Sequence, residues 1–130
     1  NGNGTWTTGS AVISGGVTGG NYMRLGAYDY GGNYFVVTES TATPLNQWTH
    51  YAIVRSGNNF TIYRNGVSTG TGTWTGSLNF NANSKTYIGY NAWDTTASYV
   101  TGYISDLRVT NGYARYTGAF APPTSPLSLK

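Results

Sequence analysis

The sequence predicts an all-β fold, an antiparallel β-sandwich, on three observations. Tyrosine, threonine and glycine dominate, with 12 tyrosines and 19 glycines, and no window of a dozen residues keeps a helical period. Short runs of β-branched and aromatic residues recur at roughly ten-residue spacing, each bounded by glycine, asparagine or proline, which is how a sandwich reads. The third observation is the stretch Leu45–Val67, LNQWTHYAIVRSGNNFTIYRNGV, where two such runs flank Ser56-Gly57-Asn58-Asn59 and a third begins after Asn65-Gly66. Asn-Gly suits a type I′ turn because both residues tolerate the positive φ it demands. Three consecutive antiparallel strands are therefore expected here.

Along the chain, Ala11–Ile13 is a short strand between glycine-rich breaks, and a second strand runs through Leu25. Tyr34–Thr38, YFVVT, is a clear strand, and 40–46 with Pro44 is a loop. In the central run, Trp48, His50, Ala52 and Val54 share one face, and Thr49, Tyr51, Ile53 and Arg55 the other. Neither face is wholly polar, so the second face should also be covered or partly used. Lys85–Tyr90 and Tyr103–Val109 read as further strands, Asn91–Thr101 as a long loop, and Thr124–Leu129 as an edge strand. Ala114–Phe120 reads as one short helical turn stopped by Pro122-Pro123. Trp48, Ile53, Ile62, Ile88 and Leu107 stand centrally in the strongest runs and are expected in the core.

At 130 residues the chain has the length of one domain, 1–130, and can bury a core without staples; it has no cysteine, so neither disulfides nor thiolate metal sites enter. The chain opens at Asn1 without methionine and is expected to be a segment of a longer one. The net charge of +3 is dispersed, without the basic run that nucleic-acid binding requires. No apolar stretch approaches the length of a membrane-spanning helix.

The string WTHYAIVRSGNNFTIYRNG resembles the central hairpin of laminin-G-like domains, within the concanavalin A-like lectin/glucanase group. The resemblance continues at Tyr87–Tyr90 and at Gly102–Thr110 and ends with Ala114–Pro123, a block similar to the variant in bacteriophage structural and bacterial surface proteins. It covers 45–126 and implies a concanavalin A-like jelly roll, whose opening strand is hard to find here, which is why the chain is expected to be a segment. It also implies that His50, which falls on the family's strand histidine, is structural.

Glycosidases of that group place two or three carboxylates on one strand, because two carboxyl groups about 5 to 10 Å apart must flank the glycosidic bond. This chain has only Asp29, Glu39, Asp94 and Asp106, and no two share a strand run, so no enzyme activity is expected. Serine and cysteine nucleophile schemes lack partners, since His50 is the sole histidine. Asp106, beside Arg108, is expected to make a cross-strand ion pair with an arginine.

The resemblance implies calcium as a possible cofactor. Asp29 in the 28–32 turn and Asp94 in the long loop are the candidate ligands, with Asn33 and Asn91 beside them, because calcium requires several oxygen donors. The residues themselves read more simply as turn aspartates bonding nearby amides. For carbohydrate, aromatic rings stack on sugar faces while amides and carboxylates bond hydroxyls. Trp93, Asp94, Tyr99 and Asn91 supply that set in the 91–101 loop, and Tyr28, Tyr30 and Trp74 add exposed rings.

Two functions follow. One is a structural and adhesion domain of a phage virion, in a tail fibre or capsid decoration, packed against copies of itself or other virion chains and binding host-surface glycan. The other is a stand-alone bacterial or extracellular lectin. The block ending in Pro123 and the low charge favour the first, with a partner surface drawn from 1–20 and from tyrosines.

Overall fold

The computed structural model describes residues 11–17, 20–28, 33–76, 88–91 and 98–128. Its strands form two three-stranded antiparallel sheets and a small ladder. Strands β1 (Ala11–Val17), β2 (Gly20–Tyr28) and β3 (Tyr34–Thr38) make the first sheet in that order. The second follows the same simple order, with β4 (Tyr51–Ser56), β5 (Asn59–Arg64) and β6 (Val67–Thr73). Strand β7 (Tyr90–Asn91) pairs with β8 (Ser98–Tyr99). Among the described residues there is no helix, and the fold is the antiparallel β-sandwich that the sequence predicts.

Turn chemistry sets the register of the second sheet. Gly57 takes φ 59° at the first position of a two-residue turn, pairing Ser56 with Asn59. Asn65 and Gly66, with φ 50° and 80°, form the two-residue turn that pairs Arg64 with Val67. Positive φ at both central residues is the type I′ signature, whose twist matches that of the flanking strands.

Strand β3 packs against β5 and β6, and the core lies between the two sheets. Leu25, Ala27, Phe35 and Val37 face Phe60 and Ile62, with Trp74 closing one end and Met23, Tyr51 and Ile53 around the margin. Phe35 lies 4.9 Å from Phe60 and stacks on Trp74 at 5.7 Å and 10°. The close approach of β6 to β3 requires a residue without a side chain. A Cβ on Gly72 would lie 2.7 Å from Val37 Cγ2 and 3.0 Å from the Phe35 ring.

One carboxylate joins the two sheets. The Glu39 side chain, fully buried just after β3, accepts on Oε2 from the Met23 amide of β2 at 2.9 Å, Thr43 Oγ1 at 3.0 Å and the Tyr51 hydroxyl at 3.1 Å. Its Oε1 accepts from Thr69 Oγ1 of β6 at 2.9 Å and lies 3.6 Å from Arg64 Nη1 of β5. Thr43 and Tyr51 also approach each other at 2.8 Å. Their two hydroxyl protons serve three contacts, so the triangle holds two of its hydrogen bonds at a time. Arg64 in turn donates to the Thr41 and Ala42 carbonyls and to Thr41 Oγ1, clamping the 40–46 loop to β5.

Several expected elements take other forms. Strand β1 is longer than Ala11–Ile13, and β4 begins at Tyr51 rather than Trp48. The partner strand β5 ends at Arg64, so His50 is the last residue held, by Asn65, and Trp48 lies beyond it, 71% exposed. Trp74, expected at the surface, is in the core, because β6 delivers it beside Phe35. The segment 103–109 is not a strand, and Leu107 is exposed, as is Ile88. Asp106 sits at φ 52°, a left-handed conformation that breaks an extended run at its middle. Among the described residues Asp106 meets no cross-strand arginine, and its carboxylate accepts from Ser105 Oγ. Residues 114–120 are irregular rather than helical, and 124–128 form no strand. Part of the expected 91–101 loop is the β7–β8 ladder.

Two predictions follow from the packing. Ile62→Ala, at a side chain with no exposed surface, should cost about 2–5 kcal/mol in urea denaturation, whereas Trp48→Ala should shift stability by no more than about 0.5 kcal/mol. Glu39→Ala should cost about 3–5 kcal/mol in the same measurement, because it leaves buried donors from both sheets without an acceptor.

Candidate functional site

Alternation along the β4–β5 hairpin separates two faces. Phe60 and Ile62 point into the sandwich, so the intervening Asn59, Thr61 and Tyr63 lie on the outer face. Register places Ala52 opposite Tyr63, Val54 opposite Thr61 and Ser56 opposite Asn59. This outer face is crossed by the segment 113–122. The Phe120 amide donates to the Gly66 carbonyl at 3.1 Å, and the Phe120 ring meets Tyr63 edge-on at 5.5 Å and His50 at 5.6 Å. Tyr116 stacks flat on the other side of this anchor, with ring centroids 3.6 Å apart and planes 7° apart.

Between the crossing segment and the sheet lies a groove of about 240 Å³, lined by Val54, Ser56, Asn59, Thr61, Tyr63, Tyr116 and Thr117. Three hydroxyl side chains, one amide, one aliphatic side chain and two phenol rings face it, and none of the seven carries a formal charge at neutral pH. The Asn59 Oδ1 accepts from Thr73 Oγ1 at 3.3 Å, which leaves the amide nitrogen as its donor toward the groove. Arg55, next along β4, belongs to the opposite face. It lies 5.1 Å over the Phe60 ring and donates to the Gly57 and Gly76 carbonyls.

The titratable groups near the sandwich seam are occupied. Burial raises the Tyr51 phenol above its ordinary value of 10.0, against the opposing hydrogen bonds of Thr43 and Arg64. It stays a protonated donor to Glu39 at neutral pH. On the outer face, His50 Nδ1 is buried without a hydrogen-bond partner, shielded by Phe120. Such a ring is a packing element.

The residues expected to form a sugar or calcium site are placed only in part. Asp29, Tyr30, Trp93 and Asp94 lie outside the described residues. Tyr28 ends β2 opposite Tyr34, and Asn91 lies in β7 opposite Ser98. Tyr99, in β8, is 70% exposed. Among the described residues no group of three His, Asp or Glu side chains comes together as a metal site. The sequence does not mark the groove residues as a site. They lie on the face of the hairpin shared by His50, Ala52 and Val54, and the sequence signal they leave is that neither face of that strand is wholly polar.

The arrangement, a sandwich with a small polar-aromatic depression on one sheet, accords with the comparison of the sequence with known families. The Laminin_G_3 family, described as the concanavalin A-like lectin/glucanases superfamily, matches residues 2–115. The chain belongs to this family. Comparison with curated proteins returns no match. Among solved structures, the chain is similar to an S-layer domain-containing protein (residues 221–444) from Clostridium thermocellum, at 26% identity and a TM-score of 0.46. The likeness covers 78% of this chain and 48% of that one, so the chain spans about half its length.

The superfamily's name joins lectins with glucanases, and the described carboxylates bear on which applies. Glu39 is consumed by the core, and Asp106 is exposed on the irregular 103–109 segment. These two side chains therefore do not flank a common groove. Gly66 is the residue on which the groove's far wall depends, since a Cβ there would lie 1.7 Å from the Phe120 carbonyl oxygen and the backbone is at φ +80°. Gly66→Ala should cost about 1–2 kcal/mol from the left-handed backbone alone. It should also detach 113–122, seen as loss of the near-ultraviolet circular dichroism of the Tyr116–Phe120 stack.

Proposed function

We propose that the chain is a non-catalytic recognition domain that displays a glycan-binding face, and that it serves as a structural and adhesion unit of a phage virion, in a tail fibre or capsid decoration. The observation that carries the glycan reading is the uncharged groove with two tyrosines on a lectin-type sandwich. Sugars are amphiphilic, and hydroxyl and amide side chains beside phenol rings match both their hydroxyls and their apolar C–H faces. The non-catalytic reading is supported by the commitment of Glu39 to five partners in the core. The virion reading rests on the Ala114–Pro123 block and on a cysteine-free chain with 8% charged residues. That reading places the domain at an extracellular surface.

Exposed large apolar side chains at Tyr99, Val100, Tyr103, Ile104, Leu107 and Val109 support packing against copies of the chain. Sedimentation of the purified chain should show reversible self-association, and Leu107→Asp with Val109→Asp should return it to monomer. A monomer at all concentrations would remove this part of the reading. For the glycan part, a panel of bacterial surface polysaccharides should yield binding with no release of reducing ends. Hydrolysis lost on Asp106→Asn or Asp94→Asn would overturn the non-catalytic reading.

A further inference from the structure

We infer that the β4–β5 groove takes a single neutral sugar ring, such as a hexose or N-acetylhexosamine at a chain end, and discriminates against uronic, sialic and sulfated sugars. This rests on the glycan reading above and specifies its chemistry. Size is the first ground. At about 240 Å³ the groove lies below the roughly 300–1,000 Å³ of sites that enclose drug-sized ligands, so it suits one ring rather than a length of polymer.

Charge is the second ground. None of the seven lining residues bears a cation, and the arginines next to them in sequence are engaged elsewhere, Arg64 with Glu39 and the 40–46 loop. Arg55 is bound to backbone carbonyls on the inner side of the hairpin. Arg115, beside Tyr116, donates to the Tyr113 hydroxyl at 2.9 Å and lies 5.6 Å from that ring. A carboxylate or sulfate in the groove would lose its water without gaining an ionic partner, which disfavours it strongly. A neutral ring exchanges water hydrogen bonds for those of Ser56, Thr61 and Thr117 and the Asn59 amide. Among the described residues the side chains of Ser56, Thr61 and Thr117 meet no hydrogen-bond partner, so they are available without breaking an internal bond there.

The third ground is geometry. Ser56, Asn59, Val54 and Thr61 sit on two directly paired positions of one hairpin, so the floor is fixed before a ligand arrives. Phe120 covers one face of Tyr116, which leaves the opposite face or the hydroxyl edge for a sugar.

The test is titration calorimetry of the full chain with matched neutral and acidic oligosaccharides, repeated on the double variant Thr61→Val, Thr117→Val. These substitutions remove two hydroxyls while keeping shape, and the urea midpoint of the variant checks that the fold is intact. The expected result is binding to neutral sugars with 1:1 stoichiometry, no measurable binding to acidic ones, and about a tenfold loss in the double variant. Equal or tighter binding of acidic sugars would overturn the inference while leaving the glycan reading standing. Such binding, lost on Arg108→Ala, would instead point to the more open depression that contains Arg108 and Arg115. Neutral binding unchanged in the double variant would also overturn it, since the sugar would then sit elsewhere. No binding of any sugar would overturn both.

Discussion

The buried carboxylate of Glu39 is the interaction on which the rest of this sandwich depends. Its two oxygens between them serve both sheets and a connection: Oε2 takes the β2 amide together with the Thr43 and Tyr51 hydroxyls, and Oε1 takes the β6 Thr69 hydroxyl and the Arg64 cation of β5. A charge placed in an apolar interior costs several kcal/mol unless every lone pair finds a donor. Here five donors converge from β2, β4, β5, β6 and the 40–46 loop. That requirement specifies how the two sheets sit on each other more narrowly than apolar contact does, because apolar surfaces tolerate sliding and directional bonds do not.

Around this seam the sequence uses small residues where backbones must come close. Gly72 lets β6 reach the Val37 and Phe35 side chains, and Gly66 lets the Phe120 carbonyl pass over the turn. The two act on opposite faces of one sheet. The first admits the aromatic cluster of Phe35, Phe60 and Trp74, and the second admits the crossing segment that walls the groove. The groove is thus a consequence of packing on the outer side of a strand pair whose inner side is already filled.

That division of labour gives the β4–β5 hairpin its half-polar character. Inward positions Phe60 and Ile62 hold the core, and of the outward positions Tyr63 is buried beneath Phe120 while Asn59 and Thr61 line the groove. A rigid two-stranded floor presenting hydroxyls is a cheap way to preorganise a site, since its side chains are held by strand pairing rather than by a loop.

The sequence by itself determined the sandwich class, the existence and order of the three central strands and their second turn, because alternation and Asn-Gly are local signals read within a few residues; it did not determine the start at Tyr51. It also determined Tyr34–Thr38 and the core place of Ile62. It did not determine the burial of Trp74, the exposure of Trp48 or the irregular form of 103–109, since these depend on where strands end and on what packs beside them. The sequence points to a sugar site in the 91–101 loop, where aromatic composition is conspicuous, and residues 92–97 lie outside the described ones. The groove draws Val54–Thr61 together with Tyr116 and Thr117, residues more than fifty positions apart. Only tertiary structure could decide that, because the Phe120–Gly66 contact that joins them is non-local and leaves no period in the chain. The same holds for Glu39: its carboxylate is one residue in the sequence, and its five partners are assembled by the fold.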